Sequence, residues 1–218
     1  MQLMQSYWNA RYSQGHLWGD EPCPSVVMAR EWFDKHQLKD ILVPGCGYGR
    51  NSLWLAQQGF VVTAHDVSEV AISLGTTQAK RERTSIEYMV GDAFDHEFMA
   101  SRQFDGIYLS LVLHLFVKQQ RLNLIDRLTS RLKSHGLLTF SCISIFDTHN
   151  FGIGKQIEPN TYEKHPGKPL HFFTEEELRD VLADNYKILA CQLHTQTETD
   201  PQGQPEDLRL WFVVAEKS

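Results

Sequence analysis

Three glycines at alternate positions, Gly45, Gly47 and Gly49, follow directly on the apolar run Ile41-Leu42-Val43-Pro44. Ser52-Leu53-Trp54-Leu55-Ala56 then opens a helix. Glycine permits positive φ and leaves bare backbone for a ligand to approach, so a strand, glycine turn and helix in this order make a nucleotide cradle. The dinucleotide pattern Gly-x-Gly-x-x-Gly is not met. The third glycine comes one position early, and Arg50 stands where that pattern wants glycine. A turn that uses its glycines only for packing is the structural alternative.

Two further strand ends carry acids. Phe60-Val61-Val62-Thr63-Ala64 reads as a buried strand, and His65-Asp66 follows it, 17 residues after Gly49. In an α/β nucleotide fold an acid at that edge accepts hydrogen bonds from both ribose hydroxyls. Asp66 could instead cap the next helix, for which Ser68 is an equally good residue. One strand later, Ile86-Glu87-Tyr88-Met89-Val90 runs into Gly91-Asp92-Ala93-Phe94. A Gly-Asp turn is common anywhere, but here it repeats the geometry of the first two signals in order.

The turn Gly-x-Gly-x-Gly with these two acids resembles the class I S-adenosylmethionine-dependent methyltransferases, over most of the chain from the glycine turn to the last strand. The resemblance implies that Gly45 and Gly47 approach the methionine part of the cofactor and that Asp66 takes the ribose. It implies that Asp92 takes the adenine amino group, with Ala93 and Phe94 lining the base pocket. Cys46, Gly49, Val67, Ser110 and Trp18 complete the expected cofactor set. The resemblance also implies a seven-stranded, mostly parallel, doubly wound sheet of order 3-2-1-4-5-7-6, with helices on both faces.

The strands support that α/β expectation independently. Helices are expected over 25–36, 51–58 and 69–83, and over Lys118–Leu132, where Leu122, Ile125, Leu128 and Leu132 are spaced for one buried face. They alternate with strands at 41–44, 60–64, 86–90, 104–110 and 137–143, which implies a parallel sheet covered on both sides. Thr174-Glu175-Glu176-Glu177 reads as a capping box opening a helix to about Asn185. Two strands, near 186–194 and 208–216, then follow with only a polar loop containing Pro201, Gly203 and Pro205 between them, so they should pair antiparallel. The plain dinucleotide fold lacks such a closing hairpin.

With 218 residues, no repeats and no linker composition, the chain reads as one domain, 1–218. Within it, 1–36 is an N-terminal lid and helix, 40–145 the cofactor core, 146–170 a substrate loop and 174–218 the helix and terminal hairpin. A net charge of -6 argues against a nucleic-acid surface. No apolar run reaches membrane-spanning length, and no secretory leader is visible. Cys23, Cys46, Cys142 and Cys191 form no CxxC pair, which suggests reduced thiols and a cytoplasmic location. The histidines and cysteines lack zinc spacing, so no metal is expected.

Methyl transfer from a sulfonium requires alignment and exclusion of water, and a base only for nucleophiles that are protonated at working pH. The stretch Ser110-Leu111-Val112-Leu113-His114 leaves the fourth strand, where the family faces the methyl group. It lacks the (Asp/Asn/Ser)-Pro-Pro-(Tyr/Phe) motif of the amino-methylating enzymes, which disfavours nucleobases and glutamine. His114 is the candidate base, or a histidine that bonds backbone below the pocket. His171 could reach the substrate side or be a loop histidine. The N-terminal pattern Trp8-x-x-Arg11-Tyr12 … Trp18-Gly19 resembles that of tellurite-resistance and thiopurine-type enzymes acting on small molecules. Trp8 and Tyr12 would then face substrate and Trp8 and Trp18 shield the sulfonium, or both tryptophans simply staple the first helix to the sheet.

The expectation is therefore methyl transfer from S-adenosylmethionine to a small-molecule O, N, S or chalcogen nucleophile, with no nucleic acid or membrane partner. A non-catalytic S-adenosylmethionine-binding sensor or partner subunit, or an NAD-dependent oxidoreductase, are the alternatives.

Overall fold

The computed structural model describes residues 2–199 and 204–218. The helix α1 (Gln2–Tyr12) and α2 (Pro24–Lys35) precede β1 (Asp40–Pro44), α3 (Arg50–Gln57), β2 (Val61–Asp66), α4 (Glu69–Arg81) and β3 (Glu87–Val90). Then come β4 (Phe104–Ser110), a 3₁₀ turn (Leu113–Leu115), α5 (Lys118–Ser130) and β5 (Leu132–Ile143). A small excursion of β6 (Lys155–Glu158), β7 (Thr161–His165) and β8 (Lys168–His171) leads to α6 (Glu175–Leu182), β9 (Tyr186–Thr199) and β10 (Pro205–Lys217).

The main sheet has the order β3-β2-β1-β4-β5-β10-β9, with the first five strands parallel and the last two antiparallel. This is the expected order, since β9 and β10 are the sixth and seventh strands of the sheet. Period-two alternation puts Ile41 and Val43 on one face and Leu42 on the other. Val26, Ala29 and Phe33 of α2 and Leu55 of α3 pack on the first face; Leu124, Ile125 and Leu128 of α5 and Leu178 and Leu182 of α6 pack on the second. Both faces are covered, as parallel strands require.

Three local expectations are corrected. Leu132 belongs to β5 rather than α5, and Leu122 is only half-buried; the helix face is Leu124, Ile125 and Leu128. The segment 146–170 is not a plain loop but carries the antiparallel sheet β6-β7-β8. The terminal strands reach further than expected, to Thr199 and back from Pro205; Pro201 and Gly203 lie outside the described residues. At the start of α6 the Glu177 N–H donates to Thr174 Oγ1, while the Glu177 carboxylate turns to His171 and Arg121. Asp147, 1% exposed, accepts the Arg209 N–H and the Asn150 N–H, fastening the excursion to β10.

Candidate active site

A cavity of about 520 Å³ opens at the C-terminal edge of β1, β2, β3 and β4. Gly45, Gly47 and Gly49 have φ of +60°, +57° and +83°, a region that side chains with a Cβ rarely adopt. The glycines also leave no room: a Cβ on Gly47 would stand 2.7 Å from the Tyr12 hydroxyl, and one on Gly49 would stand 2.0 Å from that of Tyr88. The bare backbone is thus required by packing as well as by conformation.

Asp66, at the end of β2, is buried and accepts the Gly47 N–H at 2.9 Å on one oxygen and the Ser68 N–H at 2.9 Å on the other. Burial pushes its carboxyl up, while those backbone donors pull it back. Ser68 is the helix cap, its hydroxyl accepting the Ala71 N–H. The Val67 backbone also donates to the Asp66 carboxylate, which lines the cavity. Asp92 accepts the Phe94 N–H at 2.9 Å in an Asx turn, so the Gly-Asp turn and the cavity wall are one feature. Gly91 is needed there because a Cβ would stand 2.2 Å from the Phe98 ring. The Phe94 ring meets Phe116 edge-on at 4.9 Å.

Residues 4–22 close over the mouth. Trp8, Tyr12 and Trp18 all line the cavity, and with Tyr48 and Ala71 they form one apolar cluster that binds α1 to α4. The two readings of the tryptophans are therefore compatible. Asn9 of α1 accepts the Ser68 hydroxyl at 2.6 Å. The closing segment hangs on residues interleaved with the glycines. Tyr48 donates to Gly19 O at 2.6 Å and accepts the Trp18 N–H, its ring lying parallel to that of His16 at 4.5 Å. Arg50 donates to Trp18 O at 2.6 Å.

Of the residues expected from the sequence, Gly45, Cys46, Gly47, Gly49, Asp66, Val67, Asp92, Ala93, Phe94, Ser110, Trp18, Trp8, Tyr12 and His114 come together around this cavity. His171 does not. It is 1% exposed, with Thr161 Oγ1 on Nδ1 at 2.8 Å and Glu177 Oε2 on Nε2 at 2.9 Å, and it stands behind His114. No described residue of 146–170 lines the cavity either; that segment backs the 3₁₀ turn instead. His114 is 4% exposed, and its Nδ1 finds no hydrogen-bond partner, backbone included, among the described residues. Burial lowers its pKa to about 3, with His171 adding to the effect, so the imidazole is neutral at physiological pH.

Sequence reasoning missed four residues of this site. Tyr48 was only a spacer in the glycine pattern and Arg50 only a mismatch to it. Cys23 and Glu198 carried no local signal. Glu198 of β9 bonds Arg50 through both oxygens, at 2.7 and 2.9 Å, across 148 residues of chain.

Residues 41–136 match the model of a family described as a methyltransferase domain. The chain is 31% identical over 156 residues to a tRNA N(3)-methylcytidine methyltransferase, Mettl2, of Drosophila melanogaster, covering 67% of this chain and 48% of that protein. It spans about half the length of the curated relatives it matches. Among solved structures it superposes on magnesium protoporphyrin IX methyltransferase of Synechocystis with bound S-adenosylhomocysteine, at a TM-score of 0.74 and 17% identity, covering 100% and 99% of the two chains. TehB of Haemophilus influenzae gives a TM-score of 0.65 at 19% identity, covering 98% and 67%. The glycine turn, the strand-end acids, the closing antiparallel hairpin and the family match agree, and the chain carries a methyltransferase domain with the class I fold.

Proposed function

We propose that this domain moves the methyl group of S-adenosylmethionine to a small-molecule nucleophile bound beside Trp8, Tyr12 and His114. The observation that carries the reading is the cavity of about 520 Å³ with the N-terminal aromatics over its mouth, a size that suits a cofactor together with a small acceptor. Bound S-adenosylmethionine supplies a sulfonium, from which a methyl group leaves by in-line displacement without further activation.

The chain's own residues then bind and shield. Asp66 holds the ribose hydroxyls, Asp92 the adenine amino group, and Ala93 and Phe94 the base. Gly45 and Gly47 pass close to the methionine part, and Cys46, Gly49, Val67 and Ser110 complete the wall. Trp8, Tyr12 and Trp18 exclude water from the reacting centre. His114 orients the acceptor as a neutral hydrogen-bond partner. Its depressed basicity suits nucleophiles that need no strong base, such as thiols, selenols or unprotonated nitrogens. The four cysteines are all unpaired, in keeping with a cytoplasmic setting.

A second reading, methylation of RNA, is favoured by the 31% identity to the Drosophila tRNA enzyme. Against it stand the net charge of -6 and the absence of any lysine among the described lining residues.

Calorimetric titration with S-adenosylhomocysteine, with NADH as control, tests the cofactor. Micromolar binding of the first alone is expected; binding of NADH instead would overturn the reading. Methyl transfer from labelled cofactor to a panel of thiols, phenols, amines, selenite and tellurite, run beside total tRNA, then decides the acceptor. Label appearing in tRNA alone would favour the second reading.

A further inference from the structure

The Arg50–Glu198 pair is more than a fastening of the closing segment. Its side chains are 16% and 7% exposed, and both line the cavity, beside Cys23 and Ser110. Removing two charges from water costs several kcal/mol per ion, and a buried pair often contributes no more stability than apolar residues of the same volume. Glu198 is also the most heavily coordinated carboxylate at the site. Gln196 Nε2 donates to it at 2.6 Å and the Cys23 thiol at 3.7 Å, in addition to the two bonds from Arg50. Three of these four hydrogen bonds fall on Oε1, so Oε2, which accepts only Arg50 Nη2, is the oxygen left for a further cation.

Sheet order gives the pair its place. Strand ends β3, β2, β1 and β4 set Asp92, Asp66, the glycine turn and Ser110 in a row. Arg50 opens α3 directly after that turn, and Cys23 links Glu198 to Ser110, the Ser110 hydroxyl lying 3.9 Å from its sulfur. The pair therefore lies at the end of the row away from Asp92. The cofactor's far end is an amino acid, a zwitterion that needs a group of each sign within a few ångströms. Arg50 is the one arginine, and there is no lysine, among the described lining residues. On the function proposed above, the acids Asp66 and Asp92 would be taken up by the nucleoside.

We propose that the Arg50–Glu198 pair is the receptor for the amino-acid end of S-adenosylmethionine, Glu198 taking the α-ammonium and Arg50 the α-carboxylate. The proposal rests on the placement of the nucleoside at Asp66 and Asp92. The guanidinium's Nη1 donates to Trp18 O and Glu21 O and its Nη2 to Glu198, and no hydrogen bond among the described residues uses its Nε–H. Ligand binding here would also draw the closing segment shut through Trp18 O.

The test compares three ligands by calorimetry on the whole chain: S-adenosylhomocysteine, its decarboxylated analogue, and 5′-methylthioadenosine, which keeps the nucleoside and thioether but has no amino-acid end. In the wild type, S-adenosylhomocysteine should bind about tenfold or more tighter than 5′-methylthioadenosine, the analogue falling between. Glu198→Gln should erase most of that difference by weakening S-adenosylhomocysteine while leaving 5′-methylthioadenosine within about twofold. Arg50→Gln should bring S-adenosylhomocysteine down to the level of the decarboxylated analogue. Unaltered 5′-methylthioadenosine binding also certifies that each variant is folded. Equal wild-type affinity for all three ligands would overturn the proposal even if neither variant folds, and would leave the cofactor reading standing. Equal loss for all ligands in Glu198→Gln would likewise reduce the pair to a structural latch. Failure of the wild type to bind any of them would sink the cofactor reading and this proposal together.

Discussion

At the level of single residues, the three strand-end signals were legible because each demands a residue type that little else satisfies. Gly49 illustrates this, since neither its φ of +83° nor the Tyr88 hydroxyl 2.0 Å from a Cβ tolerates a side chain. Gly49→Ala should destabilise the fold by at least about 1–2 kcal/mol from the left-handed backbone alone. Adding Tyr88→Phe should recover part of the steric cost, as a rise in denaturation midpoint, since the ring carbons still stand 2.8 and 2.9 Å from the Cβ; no recovery would mean that the hydroxyl is not the main obstacle. On the proposed ribose role, Asp66 binds cofactor as well as holding the turn, so Asp66→Ala should weaken S-adenosylhomocysteine binding by about 1–3 kcal/mol and lower the melting temperature as well. Unchanged affinity would remove the ribose assignment. Glu198 and Cys23 were illegible for the opposite reason. A polar residue in a polar stretch such as Thr195-Gln196-Thr197-Glu198 carries no burial signal, and only the register of β9 on β10 brings it inward. His171 was misplaced because proximity in sequence to a capping box says nothing about which way a strand end faces.

Elements were legible where period and length agreed. Buried parallel strands flanked by amphipathic helices announce themselves, whereas β6, β7 and β8 carry exposed polar residues such as Lys155, Gln156 and Lys164 and no clean alternation. Leu132 fitted the helical period of α5 and yet continues into a strand, because Arg131 ends the helix by bonding Leu128 O. The closing segment hangs from α3 and its glycine turn by the Tyr48 hydroxyl, which makes two hydrogen bonds to it. Tyr48→Phe should therefore loosen the segment by about 0.5–1.5 kcal/mol per bond while leaving the sheet intact. Hydrogen exchange should show faster amides at Trp18 and Gly19 and unchanged ones in β1. Equal acceleration in both would show that the turn itself, rather than the segment, depends on that hydroxyl.

For the molecule as a whole, acid is the condition to watch. His65 and His114 are both buried, with pKa values lowered by burial to about 4 and about 3. In the unfolded chain each titrates near about 6.5, so between roughly pH 4 and 6.5 the unfolded state binds more protons and stability falls as pH falls. Each histidine should contribute a slope of about 1.4 kcal/mol per pH unit across that window. His114→Leu should flatten the acid limb of a stability profile, and a profile parallel to wild type would mean that this imidazole is solvated. A consequence for turnover follows from Tyr48 and Arg50, which stand between and just after the glycines yet carry the closing segment. Door and floor are one mechanical piece. On the proposed function, the demethylated cofactor would then leave only as the aromatics move, and should be the last species out. Steady-state velocities should accordingly show strong product inhibition, and relief of that inhibition, rather than faster chemistry, is how Tyr48→Phe would raise the turnover rate.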